Sequence, residues 1–527
     1  MPIDAVTQVP TPAREPATGH PPGSAAYERL DRRLDELAGE QIPLPMTVGG
    51  EQRFGGGERT EVVQPHHHAA RLGVLGNATH QDAQLAVDAA LAAAADWRSL
   101  SFDDRAAVLL RAADLLAGPW RETLTAATML GQSRTAARAE ADAVCDLADS
   151  WRFGVHAARR ILAEQPLSPP GSWRRTDHRP LEGFVCAFSP SGSTALAGHL
   201  PTAPALMGNT VVWKPARAQS FAAHFLMRLL EEAGLPPGVV NLVTGDGRVP
   251  AEVALASPAL AGLHVAGSAG TFRALCRTVG AAAGSYRRFP RIVGEGGGRG
   301  FLLAHPSAAP DAVATAMIRG AFEGRACPVL CRAYLPRGLW QRIGPEFLAR
   351  VDELAVGDVG DPTTVMGALA DPRAYRRTVA AIERARQDPH VTVAAGGQYD
   401  DAIGWFVRPT VLRCDDGRNE VFRADHGGPV LAVQVYEDAA WEEVLGRVGA
   451  DAPHGPAGSV LARDRYAVVQ AMERLRFGAG DLCVNDLPAG TAADRAGSVQ
   501  GLLRWTSARS LAETFVPPVD DVRPHLR

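Results

Sequence analysis

The sequence predicts an α/β fold, a doubly wound parallel sheet followed by a second α/β domain. From Leu181 onward, short apolar runs alternate with stretches of helical period. Glycine and proline punctuate the joins, and a second alternating stretch begins near Ile292. Strand–helix–strand repeats at this spacing build parallel sheets, which gather ligands at the carboxyl ends of their strands.

The elements follow in chain order. Residues 1–40 are rich in proline, alanine, glycine and charge and read as a flexible tail, with a helical patch at Tyr27–Leu37. Gln84–Trp97 and Asp103–Ala117 carry helical periodicity, and Ser101 stands three residues before Asp104 as in an N-terminal capping box. A third helix spans Ser133–Arg160. Gln165–Arg179, with three prolines, reads as a linker or an extended arm. Gly183–Ser189 is an apolar strand, followed by a Ser/Gly turn and a helix to Met207. Thr210–Trp213 is a buried strand ending at Lys214–Pro215. Ser220–Ala233 is an amphipathic helix stopped by Gly234 and Pro236–Pro237. Strands at Val239–Thr244 and Gly262–Val265 and helices at Pro250–Ala256 and Gly270–Ala283 complete the first unit. Leu330–Leu335, Val391–Ala395 and Val430–Tyr436 supply strands of the second. The expected divisions are a tail (1–40), a first domain (41–290, with arm residues near 165–182), a second domain (291–484) and a C-terminal segment (485–527).

With 527 residues there is room for two or three domains. Apolar residues at 46% and charged residues at 21% exclude wholesale disorder. A net charge of −4 gives no basic surface for nucleic acid. The most apolar window, Ala195–Trp213, is interrupted by His199, Pro201, Pro204 and Asn209, so no membrane span is expected. No signal peptide opens the chain, and seven scattered cysteines make no disulfide framework, so the expected compartment is the reducing cytoplasm.

One compositional fact is sharper. Of 54 basic residues, a single one is lysine, Lys214. In a chain that otherwise uses arginine throughout, this points to a place where a compact ammonium is needed and a forked guanidinium does not serve. Lys214 closes one strand, and Gly267–Ser268 closes another and opens a helix, where free backbone N–H groups favour a phosphate. Gly245–Asp246–Gly247 lacks the third glycine of the dinucleotide fingerprint. His66–His67–His68 alternate in direction on an extended segment and are not expected to bind metal.

The stretches LEGFVCAFSPSGSTALAGHLPTAPALMGNTVVWKPA (Leu181–Ala216), EEAGLPPGVVNLVTGDG (Glu231–Gly247), VGEGGGRGF (Val293–Phe301), GGPVLAVQVY (Gly427–Tyr436) and RWTSARSLAETF (Arg504–Phe515) resemble the aldehyde dehydrogenase superfamily. Within it they are most similar to the 1-pyrroline-5-carboxylate (glutamate semialdehyde) dehydrogenase branch, across Ile42–Pro518. The resemblance implies an NAD-binding domain, a catalytic domain and an oligomerisation arm. It implies that Cys327 is the nucleophile, forming a thioester after hydride transfer, and that Glu295 activates the water that hydrolyses it. Lys214 falls on the lysine that bonds the adenine-side ribose, Ser189 and Pro190 on the loop beside the cofactor, and Gly267 and Ser268 on the turn approaching the pyrophosphate.

The departures lie at the substrate end. The asparagine that donates to the oxyanion is Gly192 here, a loss that costs about 10²–10³ in rate. Ser191, Ser193 or a water are the candidate replacements. Ala326 replaces a lysine used against the substrate carboxylate, and Pro328 follows Cys327 where serine is usual. The glutamate that holds the nicotinamide ribose is Asp425, and its neighbouring phenylalanine is Gly427. The loop that anchors the substrate carboxylate is largely missing after Asn485–Asp486. The resulting expectation is a widened pocket and an aldehyde bulkier or less polar than glutamate semialdehyde. The expected cofactor is NAD. Pro215–Gln219 holds no acid and includes Arg217, so the repulsion that rejects NADP is missing. The expected assembly is a homodimer acting on a small molecule, with neither nucleic acid nor membrane as partner. The alternatives are a non-redox enzyme of the same fold using Cys327 and Glu295 for condensation, cyclisation or hydrolysis, and a catalytically silent relative.

Overall fold

The computed structural model describes residues 7–296, 300–323, 330–424, 426–450, 456–487 and 497–515. Two seven-stranded sheets organise them. The first runs β11 (Arg291–Gly296), β10 (Leu260–Gly267), β7 (Phe184–Ser189), β8 (Thr210–Pro215), β9 (Val240–Leu242), β2 (Met46–Val48), β3 (Glu51–Arg53). β7 to β11 are parallel; β2 and β3 extend the edge antiparallel. Phe184, Val185, Cys186, Val211, Val212 and Trp213 are all buried, as central strands covered on both faces require. The chain builds β7, β8 and β9 in one direction, then returns to lay β10 and β11 on the other side of β7. The topological switch point therefore lies between β7 and β10, where a doubly wound sheet opens its ligand crevice.

The second sheet runs β14 (Thr392–Ala395), β17 (Thr410–Arg413), β18 (Val430–Tyr436), β13 (Leu330–Pro336), β12 (Gly300–Ala304), β19 (Ala457–Leu461), β20 (Asp481–Val484), parallel except for β14. Smaller sheets are β1 (Ile42–Pro43) with β5 (His67–Gly76) and β4 (Arg59–Gln64), and β15 (Tyr399–Asp400) with β16 (Phe406–Val407). The expected arm is a ribbon of β6 (Ser172–Pro180) and β21 (Thr506–Thr514), antiparallel from Ser172↔Thr514 to Pro180↔Thr506.

Two expectations change. Ile292 was placed at the start of the second domain, yet β11 pairs with β10 from Gly262↔Arg291 to Gly267↔Gly296 and completes the first sheet. The break therefore follows Gly296 instead of residue 290. Alternation identifies a strand but not the sheet it joins. The N-terminal residues, expected as a tail, are tied down where they are described. Glu15 accepts from Arg121 and Arg152, and the Thr18 and Gly19 N–H groups donate to the buried Glu140 carboxylate. The Tyr27–Leu37 patch is a helix, Ala25–Gly39.

The helices otherwise fall where periodicity places them. Ser101 Oγ accepts from the Asp104 N–H at 3.1 Å, capping Phe102–Ala117. The third helix is interrupted by a π-helical turn, Ala141–Asp146, between Ala136–Glu140 and Leu147–Ala163.

Candidate active site

Strand register sets the geometry. Glu295 pairs with Ala266, Phe188 with both Val265 and Lys214, and Ser189 with Pro215. Glu295, Ala266, Ser189 and Pro215 thus form one row across β11, β10, β7 and β8 at the carboxyl rim of the first sheet. At about 4.8 Å per strand, the row separates the Glu295 and Pro215 backbones by about 14 Å. Only three residues, 297–299, lead from β11 into β12, and Gly300 and Leu330 pair at the start of β12 and β13. The carboxyl rim of the first sheet is thereby joined directly to the amino rim of the second.

Lys214, next to last in β8, is 4% exposed, and its ammonium donates to the Pro215 carbonyl at 2.5 Å. Burial pushes its pKa down to about 8; Asp246 opposes the shift and Arg217 adds to it. An ammonium has three N–H donors, so this one retains capacity for further acceptors. Ser189 Oγ accepts from the Trp213 indole at 2.9 Å, and the Ser189 carbonyl accepts from the Ala216 N–H, locking the ends of β7 and β8 together. Gly267 and Ser268 are exposed, and a Cβ built on Gly267 would meet nothing within 4 Å. Ser268 caps the helix Ala269–Ala281, accepting from the Thr271 N–H at 3.1 Å.

Glu295 stands at the end of β11 with 10% of its side chain exposed. Its Oε1 lies 3.6 Å from Nε2 of His264, two residues back on the neighbouring strand and on the same face. The His264 ring is buried, with Nδ1 3.0 Å from the Leu200 carbonyl and the Trp505 ring 4.7 Å away, centroid to centroid.

The turn after β7 is clasped from one side. Arg134 donates to the Gly192 carbonyl. Asp142, on the π turn, accepts from Ser193 Oγ and from the Thr194 N–H, each at 2.6 Å, and its carboxylate lies 3.5 Å from Arg134. Thr194 Oγ1 also meets Gln132 at 2.7 Å and Gln219 at 3.1 Å. Ser193, a candidate replacement for the missing amide donor, is therefore committed to Asp142. The same helix sends Arg138 to Glu323 at 3.2 Å, and Ser133 Oγ accepts from the Ala368 N–H of the second domain at 2.7 Å.

Gly427 lies three residues before β18 with φ +77°, and a Cβ there would lie 2.2 Å from Arg377 Nε. Arg377 thus occupies the room that a side chain at 427 would use. A side chain at 427 would have to displace the Arg377 guanidinium. Pro190 lies half-buried beside Ser189. Cys327, Ala326, Pro328 and Asp425 lie outside the described residues, as do residues 488–496, where the loop is expected to be shortened.

Residues 54–499 match the aldehyde dehydrogenase family. This chain belongs to the aldehyde dehydrogenase family. It is 36% identical to the mitochondrial delta-1-pyrroline-5-carboxylate dehydrogenase of Bos taurus, across 98% of this chain and 94% of that one. It is 35% identical to the delta-1-pyrroline-5-carboxylate dehydrogenase of Agaricus bisporus, across 97% of each. Its fold matches the crystal structure of the Mycobacterium tuberculosis delta-pyrroline-5-carboxylate dehydrogenase bound with NAD, with a TM-score of 0.95, 53% identity and both chains covered in full. The chain is thus an aldehyde dehydrogenase-family oxidoreductase. Among the described residues no helix is long and apolar enough to cross a membrane.

Within this aldehyde dehydrogenase fold, sequence reasoning missed His264, Arg134, Asp142 and Arg377. The rare π turn under Asp142 has no sequence signature that periodicity detects. The three adjacent histidines diverge: His66 faces Asp358 at 3.5 Å, whereas His68 meets the Asp401 carbonyl at 2.8 Å and stacks on Trp405.

Proposed function

We propose that this protein oxidises an aldehyde other than glutamate semialdehyde to its carboxylate, with NAD as oxidant and Cys327 as nucleophile. The observation that carries the reading is the row at the carboxyl rim: Glu295 recessed at one end, the sole lysine buried at the other, and the Ser268 helix start between them. The residues fit a dinucleotide. Lys214 has donors to spare, the space over Gly267 is open to a phosphate, and a helix N-terminus stands beside it. Lys214 and Ser189 would hold the adenosine end, Gly267 and Ser268 the pyrophosphate, and Asp425 the nicotinamide ribose.

Cys327 attacks the carbonyl carbon to give a hemithioacetal, and Gly192 lies beside the developing oxyanion without a side-chain donor to offer. Bound NAD supplies the acceptor for the hydride that leaves this adduct. Glu295 then takes a proton from a water that attacks the thioester, and the Cys327 thiolate leaves with the carbon–sulfur electron pair. The substrate assignment is supported by Gly192, by Ala326, by the shortened loop after Asp486, and by the Arg377 guanidinium over Gly427. With Arg217 beside Lys214, NADP is the second cofactor to test. The arm ribbon supports a homodimer, and the free cysteines among the described residues support a cytoplasmic location.

Calorimetric titration with NAD and NADP, followed by an aldehyde panel that includes glutamate semialdehyde, tests the reading. Saturable NAD binding, with NAD reduction by another aldehyde that is lost in Cys327→Ala, is expected. Folded protein that binds neither nucleotide, or that prefers glutamate semialdehyde, overturns it.

A further inference from the structure

We propose that His264 is a positioning residue for Glu295, forming with it a buried pair that holds one proton, the one removed from the hydrolytic water. The proposal rests on the reading of Glu295 as general base and extends it to a residue one strand away.

The tautomer follows from the partners. The Leu200 carbonyl can only accept, so His264 Nδ1 carries the hydrogen and Nε2 of the neutral ring presents a lone pair. Nε2 is buried without a hydrogen-bond partner and faces Glu295 Oε1 at 3.6 Å. With side-chain exposures of 1% and 10%, little water reaches either atom. Two acceptors held face to face in a dry pocket repel each other, and a single proton between them turns the repulsion into a charge-assisted hydrogen bond. Closing the gap to hydrogen-bond length needs less than about 1 Å of movement.

Among the described residues, the groups that pack against the His264 ring carry no charge besides Glu295. The strand neighbours of His264 are Val293 on β11 and Ala187 on β7, neither of them charged. Helix Thr194–Leu206 presents the Leu200 carbonyl, with the buried His199 adjacent in sequence, and the C-terminal segment presents the uncharged Trp505 ring. When water attacks the thioester, its oxygen bonds to the acyl carbon, the carbon–sulfur bond breaks, and its proton passes to Glu295, where Nε2 shares it. The proton leaves to solvent through the same carboxyl group. His264 thereby holds the Glu295 carboxylate where it meets the attacking water and takes a share of the proton it receives.

An ester substrate tests this without cofactor or aldehyde. With p-nitrophenyl acetate, the burst of nitrophenolate reports acylation of Cys327 and the steady rate reports hydrolysis of the acetyl thioester. His264→Asn keeps a donor for the Leu200 carbonyl and removes the acceptor at Nε2. The expected result is an unchanged burst with a steady rate about tenfold lower, a split that a general loss of structure would not give. If Glu295→Gln leaves the steady rate intact, the base assignment itself is wrong. If Glu295→Gln stops deacylation while His264→Asn retains the steady rate, the base assignment stands and the role of His264 is overturned. Should His264→Asn not fold, histidine-ring NMR of the unsubstituted protein and Glu295→Gln decides instead. One histidine ring must change its chemical shifts between the two, and none changing overturns the pair.

Discussion

Lys214→Met is expected to make the protein more stable and less able to bind NAD. Burying the ammonium lowers its pKa from 10.5 to about 8, so at neutral pH the folded state holds a charge it disfavours. At 1.36 kcal/mol per pKa unit, this costs about 3 kcal/mol of stability at pH 7. The sign follows from proton counting. Between pH 8 and 10.5 the unfolded chain binds more protons at this lysine than the folded one, so its contribution to stability rises with pH and the penalty disappears. Methionine fills the same slot with an unbranched chain and no charge. It gives up only the bond to the Pro215 carbonyl, so about 3 kcal/mol is an upper limit on the gain. Differential scanning calorimetry at pH 7 should show melting raised by up to about 3–6 °C, narrowing toward pH 10.5. Saturating NAD should raise the melting temperature of the unsubstituted protein only, since a ligand at 100 times its Kd adds about 2.7 kcal/mol. A variant that melts lower at pH 7, or that gains as much from NAD, refutes the reasoning.

Three further outcomes are expected. Burial alone would raise the Glu140 pKa, but His20, the Thr18 N–H and Arg121 overcome it and bring it down to about 2. The stability this contributes is present above about pH 4.5 and lost as pH falls toward 2; in Glu140→Gln, urea midpoints at pH 7 and pH 3 should lie closer together. Asp142→Ala removes two 2.6 Å bonds to the Ser193–Thr194 turn and leaves the Ser193 hydroxyl, the Thr194 N–H and the Arg134 guanidinium without their shared acceptor, so a loss of about 2–4 kcal/mol in urea unfolding and a smaller ester burst are expected. Gly427→Phe places a side chain at φ +77° and against Arg377, so its melting temperature should fall, and adding Arg377→Ala should recover only the steric part.

The parts of the fold legible in the chain were those whose burial is one-sided or complete over a known period. The central strands β7, β8 and β10 are continuous apolar runs, and the amphipathic helices announce a buried stripe. Helix Arg121–Gln132 does neither: it is buried on almost every side, including Arg121 and Gln132, so no stripe is present to detect. Strands β1 to β3 are too brief, and β4 and β5 too mixed in burial, to stand out. At the site, Lys214 was legible because composition isolates it, and Glu295 because its glycine-flanked motif resembles the family. His264 was hidden inside LAGLHVAG, where one polar residue in a buried run reads as an imperfection of the strand, since its partner Glu295 is 31 residues away in the numbering. Arg377 was hidden differently. It belongs to an arginine-rich helix, Pro372–Gln387, whose charges read as a solvated face. Its packing against Gly427 limits what a deletion in sequence can mean. Replacing phenylalanine by glycine removes a ring from that position, yet whether a cavity results depends on which neighbour can reach the space. A long side chain 50 positions earlier reaches the space over Gly427, so a glycine there need not leave a cavity.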